Sequence, residues 1–442
     1  MTVVNKKEPI ILGIGDLLLL VGSLVGTLIL RYRMLPTHDL VLIHLLPFSI
    51  IFIYSLFVFY ASGLYGRTIN ISRSALPGII VRAQIVNGLI AVSLFYFIQT
   101  FNVTPKINLF LYLGLSSGFL ILWRINAYSV FSLKKKHSAL VIGQGTEVDE
   151  LVAEMATSPR SSLYCKEKIS PESTSEQMIK LFSEKGKFRY IVADLDDERV
   201  VSLLPEIYKN LFPNASVIDI HELYEDLFDR IPLSCMNYAW IMKHVSSISP
   251  KTYDAGKRII DIVLAIIVGI FAILFYPFVA LAIKLEDGGP VFIRQERIGK
   301  FNKPIFIYKY RSMASSDRGV WLPENENKVT RVGKFIRKSR IDELPQALSV
   351  LKGDMSLIGP RSDIVDLGRR LENEIPYYSV RTVIKPGVSG WAQTNQEKPP
   401  QSVEETKIRL SYDLYYVKHR SLSLDLLITL RTAKTLLSRV GM

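Results

Sequence analysis

The chain has little of what staples or metallates a small scaffold. Its 442 residues include two cysteines, Cys165 and Cys235, and six scattered histidines with no pair at ligand spacing. This excludes a disulfide framework and a Cys-based zinc cluster and fits a reduced, cytoplasm-facing protein. Acidic residues are scarce at the start: residues 1–137 hold three (Glu8, Asp16 and Asp39) against twelve Lys and Arg. There are no internal repeats. What is plentiful is apolar, with 49% hydrophobic residues and a mean hydropathy of +0.23, which excludes disorder and an ordinary soluble enzyme throughout.

The length suggests two or three domains, and charge divides the chain into three blocks. Residues 1–137 carry a net +9, residues 138–250 a net −7 and residues 251–442 a net +11. The alternation fits membrane, cytosol and a surface that handles anions. Four apolar stretches fill the first block: Ile10–Leu30, Leu40–Tyr60, Ile79–Ile98 and Ile107–Trp123. Each approaches the length of a helix that crosses about 30 Å of hydrocarbon. The first is too long for a signal peptide and is followed by Arg31 and Arg33 without a small-residue cleavage site. Lys6, Lys7, Arg67, Arg73 and Lys134–Lys136 outnumber Arg31, Arg33 and Lys106 on the other side, placing both ends of the block inside. Intramembrane Asp16 and Arg82 raise a transport path as an alternative; Arg82 lies close enough to its helix end to snorkel, which favours an anchor.

The acidic block reads as a doubly wound α/β unit. Ala139–Ile142, Tyr190–Asp194 and Ser216–Asp219 have strand character, and Gly143-Gln144-Gly145 opens a helix from Glu147 to Ala156. The third glycine of a dinucleotide fingerprint is missing, so a degenerate Rossmann-like domain is favoured over an NAD site. A fifth apolar stretch, Ile259–Ile283, follows Lys257-Arg258 and contains Pro277. It either crosses the membrane or enters, breaks near Pro277 and returns; periodicity does not choose.

The densest chemistry lies in Arg331–Gln346, where five cations precede adjacent Asp342 and Glu343 on an expected helix. Cations keep Asp342 ionised at neutral pH and hold a diphosphate beside it, and an ionised carboxylate is a nucleophile toward phosphorus. The same segment also reads as a basic helix on anionic lipid, with Asp342 and Glu343 as salt-bridge partners. Three further clusters weigh toward chemistry: Phe306–Met313 with Lys309 and Arg311, Lys352–Arg361 ending on a rigid turn, and Lys385–Gln393, a glycine-bracketed loop with Trp391. Glycines let amides approach phosphate, arginine binds it bidentately, and Trp391 or Gln393 suits a base or sugar.

Together these motifs, from Lys257 to about Ser438, resemble the bacterial sugar transferase family, the monotopic phosphoglycosyl transferases. The four spans and α/β unit resemble its large subgroup, acting in exopolysaccharide, capsule or O-antigen synthesis. There the resemblance rests on layout, on Gly63-Leu-Tyr-Gly-Arg67 and on Leu223-Tyr-Glu-Asp-Leu-Phe-Asp-Arg230-Ile-Pro232-Leu. It implies a membrane protein of α plus α/β class: a four-helix transmembrane bundle (1–137), a degenerate Rossmann-like domain (138–250) and a re-entrant membrane helix with a small α-rich catalytic domain (251–442). The re-entrant helix has Lys257 and Arg258 at its cytosolic mouth and Pro277 at its break.

The implied reaction moves a sugar 1-phosphate from a UDP-sugar to undecaprenyl phosphate, releasing UMP, at the bacterial inner membrane with the catalytic domain cytoplasmic. Glucose or galactose is the sugar that the subgroup implies. Asp342 and Glu343 map onto the family's dyad, Asp342 as nucleophile forming a covalent phosphosugar intermediate, both near a magnesium ion. Lys309, Arg311, Arg337, Arg340, Arg361 and Gln393 fall to phosphate or substrate binding. The partners are the UDP-sugar, undecaprenyl phosphate and membrane lipid, with no nucleic acid; the resemblance also raises a homodimer, for which the sequence holds no self-complementary pattern.

Three departures stand out. Tyr276-Pro277 replaces the common Ser-Pro, Pro360-Arg361-Ser362 replaces Pro-Arg-Pro and so loosens its turn, and Tyr310 replaces phenylalanine. Two other readings are a nicotinamide-dependent membrane oxidoreductase built on Gly143 and Gly145, and a non-catalytic membrane scaffold.

Overall fold

The structure, a computed structural model, describes residues 8–65, 75–97, 106–132, 136–158, 161–172, 188–210, 215–245, 251–313, 329–396 and 398–438. Lys6, Lys7, Arg67, Arg73, Lys134 and Lys135, which carry the expected orientation, lie outside the described residues. The chain forms two compact units, residues 1–139 with 153–166 and residues 140–152 with 167–442.

The first unit is built on α1 (Glu8–Tyr32), α2 (His38–Ala61), α3 (Leu76–Phe97) and α4 (Lys106–Ser132). Each is long and apolar enough to cross a membrane. α1 packs on α2 and α4, and α3 packs on the same two. Lipid tails give apolar helices no reason to prefer one another, so association rests on close packing and polar contacts. Phe48, Phe52 and Tyr112 interlock at its centre, with the Phe48 and Tyr112 rings edge-on at 5.2 Å. Around them, polar groups tie the helices together. The Gln84 amide donates to Ser116 Oγ at 2.7 Å, and the Tyr54 hydroxyl to the Asn87 carbonyl at 2.8 Å.

Asp16 is fully buried, and its partner is Arg124, not Arg82, which is exposed. Both Asp16 oxygens accept from the Arg124 guanidinium; Tyr65 Oη adds a bond at 2.5 Å, and Arg124 also donates to the Leu64 carbonyl at 2.8 Å. The Gly63–Arg67 motif therefore supplies a carbonyl and a phenol to a buried ion pair.

After the apolar helices comes a four-stranded sheet in the order β2-β1-β3-β4, formed by β1 (His137–Ile142), β2 (Leu163–Ile169), β3 (Tyr190–Ala193) and β4 (Ser216–Asp219), with β3 and β4 parallel. α5 (Thr146–Thr157) follows β1, and α6 (Ile220–Phe228) follows β4, capped by Asp219 accepting from the His221 amide. After α7 (Tyr238–His244) comes α8 (Lys251–Asp287), 37 residues long. Pro277 does not end it; the helix runs through.

The segment that follows α8 wraps along it. β5 (Phe292–Ile298) and β6 (Pro304–Tyr310) form an antiparallel hairpin. α9 (Arg331–Lys338), a 3-10 segment (Ile341–Gln346), α10 (Ala347–Lys352), β7 (Ser356–Ile358), α11 (Val365–Glu374), β8 (Gly387–Ser389), α12 (Trp391–Asn395), α13 (Val403–His419) and α14 (Leu422–Ser438) complete it.

Both halves of α8 pack on this segment. Near its start, Lys257 meets Asp425 at 2.9 Å, and the Arg258 guanidinium donates to the Val350 and Leu351 carbonyls at the end of α10. In its middle, Ala265 packs with Ile307 and Val350; beyond, Val279 and Ile283 pack with Tyr310 and Ile336. The opposite face is an exposed apolar stripe through Ile259, Val263, Ile270, Leu274, Phe278 and Leu281. Proline at 277 removes the helix hydrogen bond to the Ile273 carbonyl, four residues back. Tyr310 Oη donates to the Ala272 carbonyl at 2.9 Å.

Candidate active site

The expected single helix carrying cations and dyad is two elements. α9 starts where Glu286, from the end of α8, accepts from the amides of Arg331 and Val332, while Thr330 Oγ1 accepts from Gly333. A side chain at Gly333 would strike the Ser312 carbonyl. The helix stops after Lys338, Arg340 takes a left-handed conformation with φ 55°, and the 3-10 segment then carries the dyad. Pro345, which has no amide hydrogen, removes an α-helical bond from this stretch. The break turns Asp342 inward, 8% exposed, while Arg337 stays on the surface.

Glu343 is the hub. Arg361 donates to its Oε1 at 3.0 Å, Lys309 Nζ lies 3.9 Å from the same oxygen, and Arg340 lies 3.5 Å from Oε2. Burial alone would raise the Glu343 carboxyl, but Arg361, Lys309 and Arg340 outweigh it and hold it at about 2. Asp342 behaves oppositely. Burial and the Glu343 charge push it up to about 6 against Lys309, Arg340 and Arg337, so the expected strong stabilisation of its anion by cations is outweighed. Lys309 falls to about 8, through burial and then repulsion from Arg361. Asp342 Oδ1 is buried and has no hydrogen-bond partner among the described residues.

Thus Asp342, Glu343, Lys309, Arg340 and Arg361 come together, with Arg337 acting at longer range. Arg311 does not join them: its guanidinium packs on Gly289, and its Nε donates to the Met313 carbonyl. Gln393 lies in α12, its side-chain amide donating to the Val388 carbonyl at 3.4 Å.

The Arg361 turn is firmly held despite Ser362 in place of proline. The Pro360 carbonyl accepts from the Gly387 amide, the Ser362 carbonyl from Arg297 and the Asp363 carbonyl from the Ile298 amide, each at 2.9 Å. β7 and β8 approach so closely that a Cβ at Gly387 would lie 2.1 Å from the Gly359 nitrogen. Arg297, Asp363, Arg381, Arg409 and Asp413 were not foreseen as site residues. One available signal was Asp413 on the apolar stripe of α13 between Leu410, Leu414 and Val417, all buried.

A hard cation fits the dyad's donor set in part. Among the described residues no three His, Cys, Asp or Glu side chains gather. Magnesium, however, commonly takes one or two carboxylates and completes its shell with substrate phosphate and water. The unpartnered Asp342 oxygen beside Glu343 meets that need.

In the α/β part, the anion position at the start of α5 is already filled. The Glu147 carboxylate bonds its own backbone amide and accepts from Thr146, from the Ser234 hydroxyl and from the Ser234 amide at 3.2 Å. Although burial would raise it, these bonds hold its carboxyl below the usual range. Instead, the Leu223–Leu233 motif meets the segment that follows α8. Glu225 pairs with Lys418 and His419, and the Asp229 carbonyl accepts from the Trp391 indole at 2.8 Å.

Known proteins resemble this chain over the segment that carries Asp342 and Glu343. The signature described as bacterial sugar transferase matches residues 252–439. A UDP-N-acetylgalactosamine-undecaprenyl-phosphate N-acetylgalactosaminephosphotransferase of Aeromonas hydrophila is 38% identical over 264 residues, covering 58% of this chain and 61% of that protein. A UDP-glucose:undecaprenyl-phosphate glucose-1-phosphate transferase of Escherichia coli K12 is 38% identical over 180 residues, 40% of this chain and 39% of that protein. One of the same name from Caulobacter vibrioides is 40% identical over 192 residues, 42% of this chain and 71% of that protein. The chain spans less than two thirds of the first two. It belongs to the bacterial sugar transferase family.

Proposed function

We propose that the protein is a membrane phosphoglycosyl transferase that moves a sugar 1-phosphate from a UDP-sugar to undecaprenyl phosphate, in bacterial surface polysaccharide synthesis. The observation that carries this reading is the buried Asp342 oxygen without a partner, beside a glutamate that gathers three cations. In the first step an Asp342 oxygen attacks the sugar-linked phosphorus. The bond from that phosphorus to the bridging oxygen breaks, and UMP leaves with the oxygen. In the second, an oxygen of undecaprenyl phosphate attacks the same phosphorus and the bond to Asp342 breaks, restoring the carboxylate. Lys309, Arg340 and Arg361 neutralise the phosphate oxygens, so catalysis is mainly positioning and charge compensation. Asp342 and Glu343 would hold a magnesium ion, which would add to the neutralisation of the diphosphate.

The four apolar helices form a transmembrane bundle in the inner membrane, and α8 is re-entrant. Supporting the second point, both ends of α8 bind one catalytic segment, which a helix carrying that segment across a bilayer would not allow. The nucleotide side is then cytoplasmic. The α/β part serves as a packing partner for the catalytic segment; the Glu147 carboxylate at the start of α5 argues against a dinucleotide there.

The test is UMP release by membranes carrying wild type or Asp342→Asn, given undecaprenyl phosphate, magnesium and, separately, UDP-N-acetylgalactosamine, UDP-glucose and UDP-galactose. Release with one donor, lost in the variant, is expected. Release that persists in a folded Asp342→Asn protein would sink the nucleophile assignment.

A further inference from the structure

Behind the Arg361 turn lies a buried network that touches neither dyad carboxylate. The Arg361 carbonyl accepts from Arg381 at 2.7 Å and from Arg409 at 2.8 Å. Arg381 is locked by Asp363 and by Asp413, whose Oδ2 accepts from its Nε at 2.9 Å; Arg409 meets Asp363 Oδ1 at 3.2 Å. The Tyr378 hydroxyl donates to Asp363 at 2.7 Å. Asp363, Arg381 and Asp413 are each no more than 5% exposed.

We propose that Arg409 and Arg381 are positioning residues for the transfer reaction, acting through the Arg361 carbonyl to hold the Arg361 guanidinium against Glu343. The inference rests on reading Asp342, Glu343 and Arg361 as the transfer site.

Two guanidinium groups on one carbonyl oxygen fix a point on the backbone one bond from the Arg361 Cα. The neighbouring carbonyls, from Pro360 to Asp363, are each bonded as well, leaving the Arg361 side chain as the part of the turn aimed at Glu343. Stability alone does not call for such a network, because well-packed apolar side chains commonly replace buried ion pairs without loss. What fixed charges add is geometry. A displacement of about 1 Å at a positioning group lowers a rate by up to about 100-fold. The sequence separations, 20 residues from Arg361 to Arg381 and 48 to Arg409, explain why the pattern is invisible along the chain.

The experiment is a double-mutant cycle on the full chain in membranes, reading UMP release under single turnover alongside thermal melting. In the otherwise native protein, Arg409→Met is expected to lower the rate roughly 10- to 100-fold, and Arg409→Lys, which keeps a donor and the charge, to restore most of it. In an Arg361→Met background the same Arg409→Met change should cost less than about threefold, because the group it positions is gone. Equal losses in both backgrounds, at matched folded fraction, would overturn the inference and leave Arg409 a stabilising residue. If Arg409→Met does not fold, Arg409→Lys takes its place, and its loss must likewise vanish in the Arg361→Met background. Absence of UMP release from folded wild type with every donor would instead overturn the functional reading beneath it.

Discussion

Two buried aspartates, each close to arginine, have opposite fates in this molecule. Asp16, in the apolar helices, is fully buried, and both its oxygens are bonded, by Arg124 and Tyr65. Asp342 is nearly as buried, yet one oxygen has no partner among the described residues and its carboxyl is raised toward neutrality. The cations that would satisfy it are spent on Glu343. On the proposed function, the difference separates a charge that ties helices together from one kept available for a reaction. Burial and proximity to arginine do not distinguish them; the completeness of the bonds does.

The comparison can be broken most forcefully at Asp342. Asp342→Asn is expected to lower UMP release by about 10⁴-fold or more while leaving the melting temperature unchanged or higher, since it removes a buried charge that is incompletely bonded. A coincident collapse in stability would make Asp342 structural like Asp16. The mirror experiment, Asp16→Ala, should destabilise the protein by about 3–5 kcal/mol, because Arg124 is left buried without its counter-charge. Denaturation of the detergent-solubilised chain measures this, and Asp16→Ala with Arg124→Leu should recover part of the loss.

Titration sharpens the contrast further. Asp342 must be ionised to attack, so with its carboxyl at about 6 activity should fall about tenfold per unit below that pH. Lys309, at about 8, loses its charge above that pH, producing an alkaline limb, while Glu343, at about 2, stays ionised throughout. A pH profile of kcat/KM flat from 5 to 9 would contradict this. The smallest effect is expected at Tyr310→Phe, which removes the hydroxyl from the Ala272 carbonyl and should cost about 1 kcal/mol by chemical denaturation.

The apolar helices, the α/β pattern and the adjacency of Asp342 and Glu343 were legible in the sequence because each is a local signal. Their partners were not. Arg124 lies 108 residues from Asp16 at the end of an apolar run, so nothing along the sequence pairs the two. The dyad segment read as one helix because cations recur through it, whereas Arg340 and Pro345 divide it. Arg361 was recognisable from its glycine-proline turn, but the arginines behind that turn come from distant elements and only folding assembles them.

Tyr310 has a neighbour with a separate role. It bonds the membrane-facing helix at Ala272, while Lys309, one step earlier on β6, reaches the dyad. Because successive residues of a strand are about 3.3 Å apart, the same strand is tied both to the helix and to the dyad. On the proposed re-entrant reading the pair would act as a depth gauge: wherever the lipid set the height of α8, the dyad would be carried to that height with it. A bilayer of altered thickness would then move the enzyme as a whole and leave the spacing between helix and dyad unchanged.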